Sequence, residues 1–170
     1  MTFREPRHWD ARPSPNHSPR RAAVSAIVLH ADAASRIDDS LDWVRRAESK
    51  VSYHVMIGRN GRIFSVVHPD RRAWHAGVSE LDGVANVNEF SVGVCLSNTN
   101  RGEAFPITQL GAAADVCAVF CGAYGIPTDR IVTHAEVARP LGRKTDPLGL
   151  DLDAFRAMVD ARLGVVRPAA

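Results

Sequence analysis

Three short apolar runs constrain the fold of this 170-residue chain more than any other feature. They are rich in β-branched residues and read AAVSAIVLH at 22–30, SVGVCLS at 91–97 and RIVTH at 130–134. Runs of this length and composition are typical of buried strands. Helical patterns at 36–49, 106–127 and 151–164 alternate with them. The sequence therefore predicts an α/β fold, a single domain with a central mixed β-sheet flanked by helices.

Local signals refine this prediction. The pair Asn60–Gly61 between two β-rich runs predicts a hairpin turn, because both residues tolerate positive φ. We expect Asp38 or Asp39 to cap the first helix, and we expect Thr108 to cap the second, which ends near Gly125. Residues 1–22 are rich in Pro, Arg and Ser, so we expect an extended arm packed on the domain surface. The folded domain then covers 23–166, and 167–170 form a tail.

Composition excludes several functional classes. The net charge is only +2 and the basic residues are not massed, so we expect no nucleic-acid partner. No apolar run approaches the roughly 20 residues of a membrane span, and the N-terminal segment has no apolar leader. We therefore expect a cytoplasmic monomer that does not bind membranes. The three cysteines, Cys95, Cys117 and Cys121, have no disulfide framework spacing and are predicted to be reduced thiols.

Two of the predicted strands end in histidine, at His30 and His134. If these strands are neighbours and run the same way, both histidines lie at the same edge of the sheet, where open α/β sheets place their sites. Asp146 follows on the next loop, and two imidazoles with one carboxylate make an open zinc site. Spacing alone leaves an alternative open, in which these residues are caps or surface groups.

Longer motifs indicate a family. They are AIVLHAD, ESKVSYHVMIGRNGRIFSVV, DRRAWHAGVS, NEFSVGVCLSN, YGIPTDRIVTHAEVA and GRKTDP, and they span about residues 24 to 160. With these motifs the chain resembles the zinc-dependent N-acetylmuramoyl-L-alanine amidases. That family includes bacterial cell-wall-recycling amidases, phage amidase endolysins and peptidoglycan recognition proteins.

The resemblance implies one Zn²⁺ per chain, held by His30, His134 and Asp146, which activates water for amide hydrolysis. It implies that Lys144 stabilises the oxyanion of the reaction and that Tyr53 orients the water. The recycling branch carries a glutamate where this chain has Cys95, so the residue that transfers the proton stays open.

Five further residues are assigned by the same resemblance or by alternation along strands. His75 is expected beside the substrate, and Trp74 is expected to line the groove. Asn98 is either a contact to the stem peptide or a turn asparagine. Glu136 either supports His134 from behind or caps its loop, and His54 is either a similar support or a buried structural histidine.

The resemblance implies that the chain is a peptidoglycan hydrolase that cleaves the amide between N-acetylmuramic acid and L-alanine. The preferred interpretation is a phage-type endolysin or a closely related bacterial amidase, released to the cell wall at lysis if it is an endolysin. One alternative is a cytosolic recycling amidase that acts on anhydro-muropeptides. Another is a peptidoglycan-binding module without catalysis, in which a metal ligand is typically replaced. The expected partner is peptidoglycan or a muropeptide.

Overall fold

A six-stranded sheet forms the centre of the molecule, as seen in a computed structural model that describes residues 3–165. The strands are β1 (Asp10–Ala11), β2 (His17–Pro19), β3 (Ala26–Ala31), β4 (Val55–Ile57), β5 (Ile63–Ser65), β6 (Arg71–Ala73), β7 (Glu80–Leu81), β8 (Val84–Ala85), β9 (Ser91–Leu96) and β10 (Ile131–Thr133). The helices are α1 (Ile37–Val44), α2 (Ile107–Tyr124), α3 (His134–Val137) and α4 (Leu152–Leu163). Single 3₁₀ turns lie at Ala47–Ser49, Val87–Glu89 and Thr128–Arg130.

The order of strands in the sheet is β1-β5-β4-β9-β3-β10. Strand β3 is parallel to both β9 and β10, β9 is parallel to β4, and β4 and β5 form an antiparallel hairpin. The sheet is therefore mixed, and the predicted fold class is confirmed. Strands β3 and β9 are buried along their whole length, which explains why their sequences are apolar without alternation.

The two faces of the sheet have different coverings. One face carries Ile27, Leu29 and Val94 and packs against α2 and α4 in the main core. The opposite face is covered by α1 at one end and by the 3₁₀ turn at Val87–Glu89 with its neighbours at the other. Because side chains alternate along a strand, His30 lies on the second face with Val28.

Helix α2 is long and apolar enough to meet the length and composition criterion for a membrane span, with a mean hydropathy of 1.3 over its 18 residues. Its residues Ala113, Cys117 and Phe120 are fully buried in the main core. This packing explains the apolar sequence as that of a core helix.

The predicted hairpin at Asn60–Gly61 is confirmed, with Gly61 at φ +81°. Gly125 also ends α2 in the left-handed conformation, as expected. The predicted caps are wrong. Helix α1 begins after Arg36, with Asp38 and Asp39 inside its first turn. Helix α2 begins after Pro106, and the Thr108 hydroxyl donates to the carbonyl of Arg59 instead of capping.

The N-terminal arm is more deeply integrated than its composition indicated. Strand β1 pairs with β5 at the sheet edge, β2 pairs with β6, and Phe3 and Trp9 are buried in the main core beside Phe120. The predicted tail at 167–170 lies outside the described residues.

Arg20 ties this arm to the rest of the domain. Its guanidinium donates to five backbone carbonyls at 2.8–3.3 Å, those of Pro69, Arg71, Asn88, Glu89 and Ser91. All five donors of an arginine are therefore satisfied by the main chain.

Candidate metal centre

The two predicted histidines and the aspartate meet at one point. Strands β3 and β10 are adjacent and parallel, with Thr133 paired to Leu29, so His134 follows directly beside His30. Each of His30, His134 and Asp146 offers one ligand atom, and these atoms all lie within 4.8 Å of one another. All three residues are buried. They form a group that can hold a metal ion.

The orientation of the rings fits such an ion. Nδ1 of His134 lies 3.0 Å from both carboxylate oxygens of Asp146, while its Nε2 lies 3.3 Å from the carbonyl oxygen of Ala76. A carbonyl only accepts, so Nε2 carries the hydrogen that faces it, and Nδ1 is left to face the carboxylate. An imidazole nitrogen and a carboxylate that face each other in this way can bind one metal ion together. Nδ1 of His30, 3.5 Å from Asp146 Oδ2, is buried and makes no hydrogen bond of its own.

Protonation states agree with this geometry. Burial lowers the pKa of His30 to about 4, so its imidazole is neutral, as a ligand must be. For Asp146, burial acts to raise the pKa, but contacts with His134 and His30 outweigh burial and hold the pKa below its usual value. The site therefore presents one ionised carboxylate.

A cavity of about 490 Å³ opens over these ligands. Its lining includes His134 and Asp146, and three cations, Lys50, Arg143 and Lys144, also line it. Lys144 is exposed, which leaves its ammonium group free to approach a bound molecule. The structure therefore brings Lys144 to the same cavity as the ligands.

Tyr53 also lines the cavity, with its ring centre 5.1 Å from that of His30. Burial, and then the neighbouring Cys95, raise the pKa of Tyr53 well above its usual value. A phenol that stays protonated can orient a water by a hydrogen bond but cannot remove its proton at neutral pH. The predicted orienting role of Tyr53 stays a prediction, with this chemistry in its favour.

Cys95 is fully buried on β9, opposite His30 in the strand register. Burial raises the pKa of its thiol well above the ordinary value, so it is a small core residue and not a nucleophile. Cys95, Cys117 and Cys121 are all free and buried, and their reduced state stays a prediction.

Trp74 and His75 both line the cavity. Trp74 lines the cavity as predicted, with its indole N–H donating to Ser18 Oγ at 3.2 Å. His75 is only 6% exposed, and its Nδ1 lies 3.0 Å from Nε2 of His30. His75 therefore contacts a candidate ligand and also borders the cavity, and its predicted contact with substrate stays a prediction.

Asn98 and Glu136 make local contacts, and their predicted functional roles stay predictions. Asn98 is fully buried, where its side chain accepts from the N–H of Asn100 and donates to the carbonyl of Glu103, as expected of a turn residue. The carboxylate of Glu136 accepts from the backbone N–H and hydroxyl of Thr133 in a capping box. Glu136 thus caps the helix that His134 begins, which was the open alternative.

His54 is the buried structural histidine of the two alternatives. Its Nδ1 accepts from the N–H of Gly93 at 2.8 Å, and its Nε2 lies 3.1 Å from the carbonyl oxygen of Arg71 and 2.9 Å from Nη2 of Arg20. Burial, and then the charge of Arg20, lower its pKa to about 3. The neutral ring links β9 to β6.

Sequence reasoning missed three residues around His75. The side-chain oxygen of Asn88 accepts from the backbone N–H of His75, and Ser91 Oγ lies 3.3 Å from His75 Nε2. Gly93 provides the space for the His75 ring. A Cβ at Gly93 would lie only 2.6 Å from Cγ of His75. A glycine inside a buried strand is a known sign of close approach, so Gly93 could have been found from the sequence. Asn88 and Ser91 gave no comparable signal.

Comparisons with known proteins agree with this site. The chain is 38% identical over 114 residues to the 1,6-anhydro-N-acetylmuramyl-L-alanine amidase AmpD of Salmonella typhimurium strain SL1344, covering 66% of this chain and 59% of that protein. It is 32% identical over 158 residues to the AmpD of Haemophilus influenzae, covering 82% of this chain and 81% of that protein. A crystal structure of an AmpD derivative superposes with a TM-score of 0.77 at 27% identity, covering 94% of this chain and 99% of that one.

A family model also matches the chain. Its description is N-acetylmuramoyl-L-alanine amidase, and it matches residues 20–149, a range that contains all three candidate ligands and Lys144. The chain therefore belongs to the N-acetylmuramoyl-L-alanine amidase family.

Proposed function

We propose that this protein is a zinc-dependent amidase that hydrolyses the bond between N-acetylmuramic acid and L-alanine in soluble anhydro-muropeptides. The observation that carries the proposal is the convergence of His30, His134 and Asp146 within 4.8 Å beside an open cavity. Two neutral imidazoles and one carboxylate, with room for a further ligand, are the donor set of hydrolytic zinc sites.

The choice of soluble fragments over intact cell wall corrects the interpretation preferred from the sequence. The endolysin interpretation has less support, because the two relatives described above, at 38% and 32% identity, are both named 1,6-anhydro-N-acetylmuramyl-L-alanine amidases. The cytoplasmic location, the monomeric state and the lack of nucleic-acid and membrane partners stay predictions.

Zn²⁺ held by the three ligands supplies Lewis-acid activation of the scissile carbonyl and of the attacking water. The chain's own residues do the rest. The exposed ammonium of Lys144 offers a positive charge to the oxyanion that develops on the amide carbonyl. The neutral phenol of Tyr53 orients the water, and Lys50 and Arg143 offer cations to the carboxylates of a stem peptide.

The non-catalytic alternative has no specific observation in its favour. The three candidate ligands, Lys144 and Tyr53 are all residue types that can perform the roles of a zinc amidase. Each of them lines the cavity or belongs to the group of candidate ligands beside it. A protein that only bound peptidoglycan would have no need of this complete set.

The test offers two substrates side by side to the purified protein, namely a soluble anhydro-muropeptide and intact sacculi. We expect a new L-alanine amino terminus to appear with the soluble substrate, to vanish on chelation and to return with added Zn²⁺. The matched control is Asp146→Asn, which keeps the shape of the side chain but removes its charge. An undiminished rate after complete zinc removal contradicts the metal mechanism, and release of material from sacculi alone restores the endolysin interpretation.

A further inference from the structure

One short segment, residues 74–77, touches both imidazole ligands from behind. The side chain of His75 reaches Nε2 of His30 at 3.0 Å, and the carbonyl of Ala76 reaches Nε2 of His134 at 3.3 Å. In each ligand histidine, Nε2 is the ring nitrogen that faces away from Asp146. The two Nε2 atoms therefore contact two consecutive residues, His75 and Ala76.

The direction of the hydrogen bonds through His75 follows from their far end. The carbonyl of Val87 only accepts, so the Ser91 hydroxyl donates to it at 2.7 Å. Ser91 Oγ must then accept from Nε2–H of His75, at 3.3 Å. In a neutral ring this leaves Nδ1 of His75 as an acceptor, so Nε2–H of His30 donates to it. His30 is thereby fixed in the tautomer whose Nδ1 lone pair points toward Asp146.

His75 is held rigidly in this place. Its ring lies against Gly93, where even a Cβ would come within 2.6 Å. The side-chain oxygen of Asn88 accepts from the backbone N–H groups of both His75 and Ala76, at 3.1 and 2.8 Å. Arg143 adds a contact to the Ala76 carbonyl at 3.3 Å and one to the Val78 carbonyl at 2.7 Å. The segment therefore keeps its position without help from a bound substrate.

We propose that His75 is a positioning residue for the metal site, which sets the tautomer and orientation of His30, and that Asn88 holds it in register. A partner that accepts the outer N–H of a ligand imidazole raises the basicity of the ligand, and its loss typically lowers metal affinity about 10- to 100-fold. The inference rests on the metal site of the proposed function, but it concerns metal affinity and not the reaction.

The experiment compares His75→Leu with His75→Asn. Leucine keeps much of the volume but has no acceptor, whereas the Oδ1 of asparagine can replace Nδ1 in front of His30. Zinc affinity is measured on metal-free protein by competition with a chromophoric chelator, and circular dichroism confirms that each variant is folded. We expect His75→Leu to lose about 10- to 100-fold in zinc affinity and His75→Asn to recover most of it.

Native zinc affinity in a folded His75→Leu, together with a raised KM, would overturn the proposal and restore His75 as a substrate contact. A second measurement on the unaltered protein covers the case in which a variant does not fold. Long-range ¹H–¹⁵N spectra of the zinc-loaded protein should show His30 protonated on Nε2 and bound through Nδ1. Protonation on Nδ1 refutes the proposal. Neither readout uses a substrate, so a failure of the amidase proposal is seen separately.

Discussion

The close contact between Gly93 and His75 gives the sharpest prediction for this protein. A methyl group at Gly93 would lie 2.6 Å from Cγ and 2.8 Å from both Nδ1 and Cδ2 of the His75 ring. The methyl meets the body of the ring and not the flexible end of a long side chain. We therefore expect Gly93→Ala to displace His75.

The size of the displacement follows from the distances. Ordinary van der Waals contact begins near 3.4 Å, so the ring must retreat by about 0.8 Å. The hydrogen bond from His30 to His75 is 3.0 Å long, so a retreat of this size away from His30 takes it beyond bonding distance. Overpacking of a closely packed interior costs about 1 to 3 kcal/mol, which is the expected loss in free energy of unfolding.

Two assays separate the consequences. Urea unfolding in the presence of a chelator measures the packing cost alone, and chelator competition on the folded protein measures zinc affinity. The matched control is Gly122→Ala on the exposed side of α2, where no atom lies within 4 Å of the new Cβ. That variant should gain about 0.5 to 1 kcal/mol in stability, because alanine favours a helix over glycine.

Refutation would take a clear form. If Gly93→Ala unfolds at the same urea concentration as the native protein and binds zinc equally well, the ring of His75 is not confined by β9. Gly93 is then not required for the His75 ring to fit.

Three other changes have defined outcomes. The pKa of His54 is about 3 in the folded protein and about 6.5 in the unfolded chain, so the unfolded chain binds the proton more tightly. The contribution of His54 to stability is therefore complete above pH 6.5 and is lost as the pH decreases below that value. In metal-free protein, the free energy of unfolding should decrease by about 2 kcal/mol less between pH 7.5 and 5 in His54→Asn than in the native protein, as measured by urea unfolding. An equal decrease in both proteins contradicts this prediction. Lys144→Ala should lower kcat about 100-fold at unchanged zinc affinity, since Lys144 is no ligand; loss of zinc contradicts its assignment. Arg20→Lys should lower the free energy of unfolding by about 2 to 4 kcal/mol, because lysine has three donors for five carbonyls. The control Arg21→Lys changes an exposed side chain and should have little effect. Equal effects of the two substitutions refute the prediction.

The sequence predicted those parts of the site that depend on strands. His30 and His134 follow apolar runs, and the parallel pairing of β3 with β10 brings them together as expected. Asp146 lies on a loop, where no periodicity locates a side chain, so only family resemblance could assign it. The geometry then supports the assignment.

The position of His75 could not be predicted, because it depends on how an irregular segment crosses the sheet. The sequence motif that contains His75 is compatible with a ring that faces the substrate and with a ring that faces His30. The ring is placed against His30 by the space above Gly93 and by the hydroxyl of Ser91, and both belong to a strand distant from His75 in the chain.

The N-terminal arm shows a similar limit. Its Pro and Arg content predicts an extended surface segment, and two short stretches of it, β1 and β2, form strands. Two aromatic residues, Phe3 and Trp9, nevertheless enter the main core, where they meet Phe120. Isolated aromatics in a polar segment carry no periodic signal, so their burial is decided by the space that α2 leaves beside the sheet.

The sheet sets the places of both ligand histidines, and residues 75 and 76 contact their outer nitrogens. Metal uptake therefore has little chain left to order, unlike that of small zinc domains, which fold only when loaded. We therefore expect that zinc is removed and returned, or replaced by cobalt or cadmium, without unfolding of the polypeptide. Activity would then follow the local supply of metal without new protein synthesis.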